Sequence, residues 1–170
     1  IYFDVPNANA VRVNPLIVFL HIPKTAGSTF QFILENTFGL SACHADHAKK
    51  KSFRPDDFAF AQKIFPQMKS LAGHTLLDSL ALNLPAPFHM TFLRDPVARV
   101  FSHYQDSVLA GGNTLGFEED LRRGGRLANL HVKLMAGEAN LDKAKRYLER
   151  CGFVGFTEKF NLSLHVLNKL

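Results

Sequence analysis

Leu16-Ile17-Val18-Phe19-Leu20-His21-Ile22-Pro23-Lys24-Thr25-Ala26-Gly27-Ser28-Thr29 is the stretch on which the fold turns. Its first five residues form an unbroken apolar run with β-branched members, which predicts a strand buried on both faces, as in a parallel sheet. Pro23 to Ser28 then read as a loop. From Thr29 onward, Phe30, Ile33, Leu34 and Phe38 recur at helical spacing, and Gly39 follows as a stop. A strand that runs through a tight loop into a helix exposes the first unpaired N–H groups of that helix and the positive end of its dipole. Phosphate binds at such a place. Gly27 lets the backbone approach an anion closely, Ser28 and Thr29 bring hydroxyls, and Lys24 brings a cation. Backbone amides from Thr25 and Ala26 through Thr29 complete the expected cradle. The order is not that of a Walker A loop, because Lys24 precedes Gly27 and the leading glycine is missing.

Further along, Phe88 to Leu93 is a second apolar run that predicts a buried strand and delivers Arg94 to the sheet edge. Ligands of open α/β sheets bind at that edge. Asp95-Pro96 supply a helix N-cap and a first-turn proline. Val97, Val100, Phe101, Tyr104 and Val108 repeat as the apolar stripe of the helix that follows, and Gly111-Gly112 close it. Ser102 falls off that stripe, about 140° from Val97 at ~100° per residue. Arg94 can fork onto a phosphate, and Ser102 can add a hydroxyl. Alone, Arg94 reads equally well as a structural ion-pair residue; in company with the first motif it reads as a second anion contact. Asp95 also has two readings, a helix cap or a carboxylate for Mg²⁺, and the cap is the simpler.

Elsewhere the pattern predicts a short strand over Ser70 to His74, helices near 116–123, 127–135 and 140–150, a strand over Cys151 to Phe156 and a helix from Glu158 to Leu167. Residues 40–66 yield no assignment, and residues 1–15, with Pro6 and Pro15, read as an irregular lead-in. Strands alternating with helices predict an α/β chain: a three-layer, P-loop-like fold with a central parallel sheet flanked by helices, in one domain over residues 1–170.

The 170 residues suffice to bury a core without disulfides or metals, and 46% hydrophobic with 21% charged residues excludes a disordered chain. A net charge of +5 is mild, and the densest basic run, Lys49-Lys50-Lys51, reads as a solvated face, so no nucleic-acid partner is expected. Cys43 and Cys151 either pair once or stay free. Cys43-His44 with Asp46 and His47 lacks a second ligand pair at zinc-like spacing, so no metal site is expected there. No apolar stretch reaches membrane-spanning length, and the first residues show no signal-peptide pattern.

The string Pro23-Lys24-Thr25-Ala26-Gly27-Ser28-Thr29 resembles the 5′-phosphosulfate loop of the sulfotransferases. It is most similar to the Golgi carbohydrate enzymes of the heparan sulfate 2-O-sulfotransferase type and their bacterial relatives. The Arg94-to-Ser102 spacing resembles the 3′-phosphate motif of that family, and Gly73-His74 resembles the catalytic histidine position of its 2-O branch. Asn129-Leu130-His131 and the string from Phe153 through Thr157-Glu158 to Phe160 resemble its later segments, so the likeness runs from residue 16 to residue 168.

The resemblance implies a co-substrate, 3′-phosphoadenosine 5′-phosphosulfate (PAPS), and in-line transfer of its sulfonate to an acceptor hydroxyl, on a carbohydrate or glycoconjugate. It implies that Lys24 stabilises the leaving phosphate, that Arg94 and Ser102 hold the 3′-phosphate, and that His74 takes the acceptor's proton. An imidazole, which titrates near neutrality, suits that last task. No metal is expected, because a sulfonate carries less charge than a phosphoryl group. His21 and His103 flank the two motifs as supporting candidates. Two other classes stay open: a P-loop kinase or nucleotide hydrolase using Mg-ATP through Asp95, and a non-catalytic nucleotide- or glycan-binding module. The expected compartment is the bacterial cytoplasm, or the Golgi lumen for a chain trimmed of an N-terminal anchor.

Overall fold

The computed structural model describes residues 15–46, 51–123 and 128–170. Among them, five strands form one sheet: β1 (Leu16–Leu20), β2 (Ala42–His44), β3 (Ser70–Gly73), β4 (Pro87–Leu93) and β5 (Phe153–Phe156). Their spatial order is β2-β3-β1-β4-β5, and every neighbouring pair is parallel. Seven helices accompany the described strands: α1 (Gly27–Phe38), α2 (Pro55–Ile64), α3 (Pro96–Leu109), α4 (Phe117–Arg123), α5 (Leu130–Ala136), α6 (Leu141–Glu149) and α7 (Phe160–Leu167).

β1 lies at the centre and is buried along its whole length. Because successive side chains of a strand point to opposite faces, its run feeds two cores at once. Ile17 and Phe19 join Phe30 and Leu34 of α1 and Leu167 of α7 on one face. Leu16, Val18 and Leu20 join Phe58 and Ala61 of α2, Ala136 of α5 and Tyr147 of α6 on the other. The expected helix–sheet–helix layering is therefore present. Phe30 sits edge-on to Phe19 at 4.8 Å and tilted against Phe92 at 5.2 Å, contacts worth on the order of 1 kcal/mol each beyond the area they bury.

The expected strands and helices are all present, and the described part of residues 40–66 adds a further strand and a further α-helix. β2 is too short, at three residues, to show a period. α2 is announced by its start: Pro55 occupies the first turn and Asp57 Oδ2 accepts from the Arg54 amide at 3.0 Å. The apolar stripe expected to bury α3 corrects the sequence reading more deeply. Val97 is 73% exposed and Phe101 45%, whereas the one buried residue of this helix is Arg99. The lead-in over 1–14 lies outside the described residues, as do His47 and residue 127. Cys43 and Cys151 are both free, and burial pushes each thiol up, Cys151 to about 12. Among the described residues no helix is long and apolar enough to cross a membrane.

Candidate functional site

In an all-parallel sheet every strand ends at the same edge. β1 delivers the Lys24 loop there, β3 delivers His74, β4 delivers Arg94 and β5 delivers Thr157.

The loop between β1 and α1 is held by its own backbone conformation. Lys24 (φ 69°) and Ala26 (φ 64°) both adopt the left-handed region without being glycine, at about 1 kcal/mol or more apiece. Thr25 is fully buried, and its hydroxyl donates to the Ile22 carbonyl at 2.8 Å. That hydroxyl braces the loop, which leaves the backbone amide of Thr25 as its available donor. Gly27 opens α1, and a Cβ there would stand 1.9 Å from His21 Cδ2, so the ring of His21 demands glycine. Ser28 and Thr29 are exposed in the first turn, where helical N–H groups have no intrahelical partner.

The second motif meets the first directly. Arg94 Nη1 donates to the Lys24 carbonyl at 3.1 Å. Lys24 Nζ pairs with Asp106 of α3 at 3.1 Å. Ser102 lies one turn before Asp106, on the same side of that helix. Asp95 acts as the cap, its Oδ1 accepting from the Ala98 amide at 2.8 Å. Two residues beyond the expected set complete the corner: Glu158 Oε1 accepts from the Asp95 amide at 2.9 Å, and the Thr157 hydroxyl donates to the Leu93 carbonyl at 3.0 Å. In the sequence both belong to the Thr157-Glu158 string near the start of α7. Burial, and after it the charge of Arg99, pushes both His103 and His131 down; the charge of Lys24 also reaches His103 in the same direction.

His74 follows β3 next to the end of β1. The register pairs Leu20 with Gly73, and the His21 amide extends that ladder to the Gly73 carbonyl at 3.1 Å. His74 Nδ1 lies 2.5 Å from the His21 carbonyl oxygen. A carbonyl can only accept, so Nδ1 carries the proton, and in the neutral ring Nε2 is the basic nitrogen. Asp46 Oδ1 accepts from the Thr75 amide at 3.0 Å, fixing the segment just after the histidine. Among the described residues no group of three or more His, Cys, Asp or Glu side chains is placed to share a metal ion.

This arrangement of loop, arginine and histidine can be set beside known proteins. A model of the sulfotransferase family matches residues 11–152, most of the chain. The chain belongs to the sulfotransferase family. A curated relative, heparan sulfate 2-O-sulfotransferase hst-2 of Caenorhabditis elegans, is 26% identical over 144 residues, which is 71% of this chain and 44% of that protein. This chain therefore spans less than half the length of that relative. The crystal structure of a sulfotransferase from Alicyclobacillus acidocaldarius superposes with a TM-score of 0.57 at 18% identity, covering 91% of this chain and 77% of the other. At that identity the likeness speaks for the fold, and the fold is that of a sulfotransferase.

Proposed function

We propose that the protein transfers a sulfonate group from PAPS to a hydroxyl of a carbohydrate or glycoconjugate. The observation that carries the reading is the 3.1 Å bond from Arg94 Nη1 to the Lys24 carbonyl, which brings the two motifs together at the sheet edge. The amides of residues 25–29 at the start of α1 suit a 5′-phosphosulfate. Arg94, with Ser102 on the neighbouring helix, suits a 3′-phosphate. Holding both ends fixes the sulfur in line with an incoming oxygen, and such alignment is a large part of any transfer reaction.

In the proposed step the acceptor oxygen bonds to sulfur as the bond from sulfur to the phosphate oxygen breaks. The acceptor's proton passes to His74 Nε2, and Lys24 neutralises charge on the departing phosphate. The nucleotide leaves as adenosine 3′,5′-bisphosphate. The carbohydrate acceptor is supported by the hst-2 relative, whose name specifies heparan sulfate.

Thermal shift tests the donor. Adenosine 3′,5′-bisphosphate should raise the melting temperature more than AMP does, and Arg94→Ala should level the two. Stabilisation by ATP with Mg²⁺ but not by the bisphosphate would overturn the reading in favour of a kinase or nucleotide hydrolase. Transfer of labelled sulfonate from PAPS to a polysaccharide panel that includes desulfated heparan sulfate then separates an enzyme from a binding module.

A further inference from the structure

We infer that His21 is a positioning residue that couples the donor loop to the general base: one face of its ring steers His74, and its edge seats Gly27. The inference rests on the proposed role of His74. Three observations carry it. The parallel register sets His21 and His74 side by side although 53 positions separate them in sequence, and their ring centroids lie 4.0 Å apart. The backbone carbonyl of the same residue accepts the Nδ1 proton of His74, so residue 21 holds the base both by its carbonyl and by its ring. On the other side, the His21 ring fills the space that any side chain at position 27 would need.

The ring of His21 is itself held. It is 5% exposed and stacks on Phe19 at 5.8 Å. Its Nδ1 lies 3.1 Å from Gln31 Oε1, an acceptor, which makes Nδ1 the protonated nitrogen. The Gln31 amide nitrogen in turn meets His44, whose Nε2 is 2.8 Å from Glu35 Oε1. A chain of polar contacts on α1 and β2 thereby fixes the plane against which His74 lies. Burial pushes His21 down to about 4, with the positive charge of a protonated His74 as the second cause; Gln31 and Asp46 act the other way. The ring of His21 therefore stays neutral through the range in which an ordinary imidazole titrates, and it serves as a fixed wall rather than a competing base.

Two substitutions separate ring from hydrogen bond. His21→Asn keeps a donor for Gln31 and removes the ring; His21→Phe keeps a ring and removes the donor. With PAPS and desulfated heparan sulfate, His21→Asn should lower kcat by about 10- to 100-fold, the scale of a misplaced catalytic group. KM for PAPS should change far less, and His21→Phe should recover most of the lost turnover. Imidazole ¹⁵N spectra, which need no acceptor, should show a sharp Nδ1–H signal of His74 in the wild type and a line broadened by ring motion in His21→Asn, which keeps the carbonyl of residue 21 and loses the stacked ring. Unchanged turnover or an unchanged His74 line in His21→Asn would overturn the inference. The base reading fails separately: a fully active His74→Ala would overturn it, whereas an inactive His74→Ala beside a wild-type-like His21→Asn would overturn only the role of His21.

Discussion

The β1–α1 corner and the β4–α3 corner share one plan, a buried parallel strand feeding a helix, and they differ in what holds the helix down. α1 is seated by apolar burial: Phe30 is 2% exposed and Leu34 4%, both locked into the aromatic core of the sheet. α3 fully buries only Arg99, and its apolar stripe is half-covered, with Phe101 and Tyr104 packed on Phe117 of α4 at 5.3 and 5.1 Å. Polar contacts share the task, through the Asp95 cap and the Glu158 carboxylate on the Asp95 amide, with the partly exposed Lys24–Asp106 pair adding little stability. Apolar burial is insensitive to charge, so the first corner is a rigid platform for its helix N-terminus. The second corner is tied to the first by the Arg94 bond to the Lys24 carbonyl and the Lys24–Asp106 pair.

The contrast breaks most readily at the two phenylalanines. Phe30→Ala should destabilise the protein by about 3–5 kcal/mol, as for other buried aromatics, and Phe101→Ala by no more than about 1 kcal/mol, as for sites away from the core. Urea unfolding measures both, and equal losses would erase the distinction. Lys24→Ala comes next. It should lower turnover by about 10²–10³-fold, the scale for losing one charge-stabilising donor, while the melting temperature stays close to that of the wild type. A drop in stability without a drop in turnover would make Lys24 a tie for α3 and nothing more.

Acidification sharpens the comparison at the smallest scale, because each corner holds a histidine pushed down by burial. In the unfolded chain His21 takes up its proton near 6.5, whereas in the folded chain it does so at about 4. Between those values protons favour the unfolded chain, so stability is undiminished above 6.5 and is lost as pH falls towards 4. The loss attributable to His21 is on the order of 2–3 kcal/mol. His103 acts in the same direction. Denaturant melts at pH 7 and pH 4 should show that His21→Asn removes more of the acid sensitivity than His103→Asn does; the reverse order would place the more tightly sealed imidazole in the α3 corner.

The central strands and the helices that follow them were legible because burial imposes its period on sequence. Leu16 to Leu20 is apolar throughout and Phe88 to Leu93 is mostly so, with buried His89 and Thr91 satisfied by hydrogen bonds, and Asp95-Pro96 and Gly39 mark helix ends by local backbone chemistry. β2 escaped notice because three residues carry no period. The stripe of α3 misled because spacing shows that a helix has an apolar side and not what covers it; Phe117 of the short helix α4 half-covers that side, and Arg99 enters the interior. At the site, Lys24, Gly27, Arg94 and Ser102 stood out through their spacing. Asp106, Thr157 and Glu158 did not, since each acts on a partner far away in sequence.

The sequence by itself determined the two strand-to-helix corners, because hydrophobic period, caps and breakers act over a few residues. Only the tertiary structure decided which distant groups meet. The β2-β3-β1-β4-β5 order and the parallel register set His21 against His74, and the crossing of the Lys24 loop by Arg94 joined the two motifs. Such meetings depend on how strands align across a sheet, and alignment is a property of the packed whole that no local stretch of residues contains.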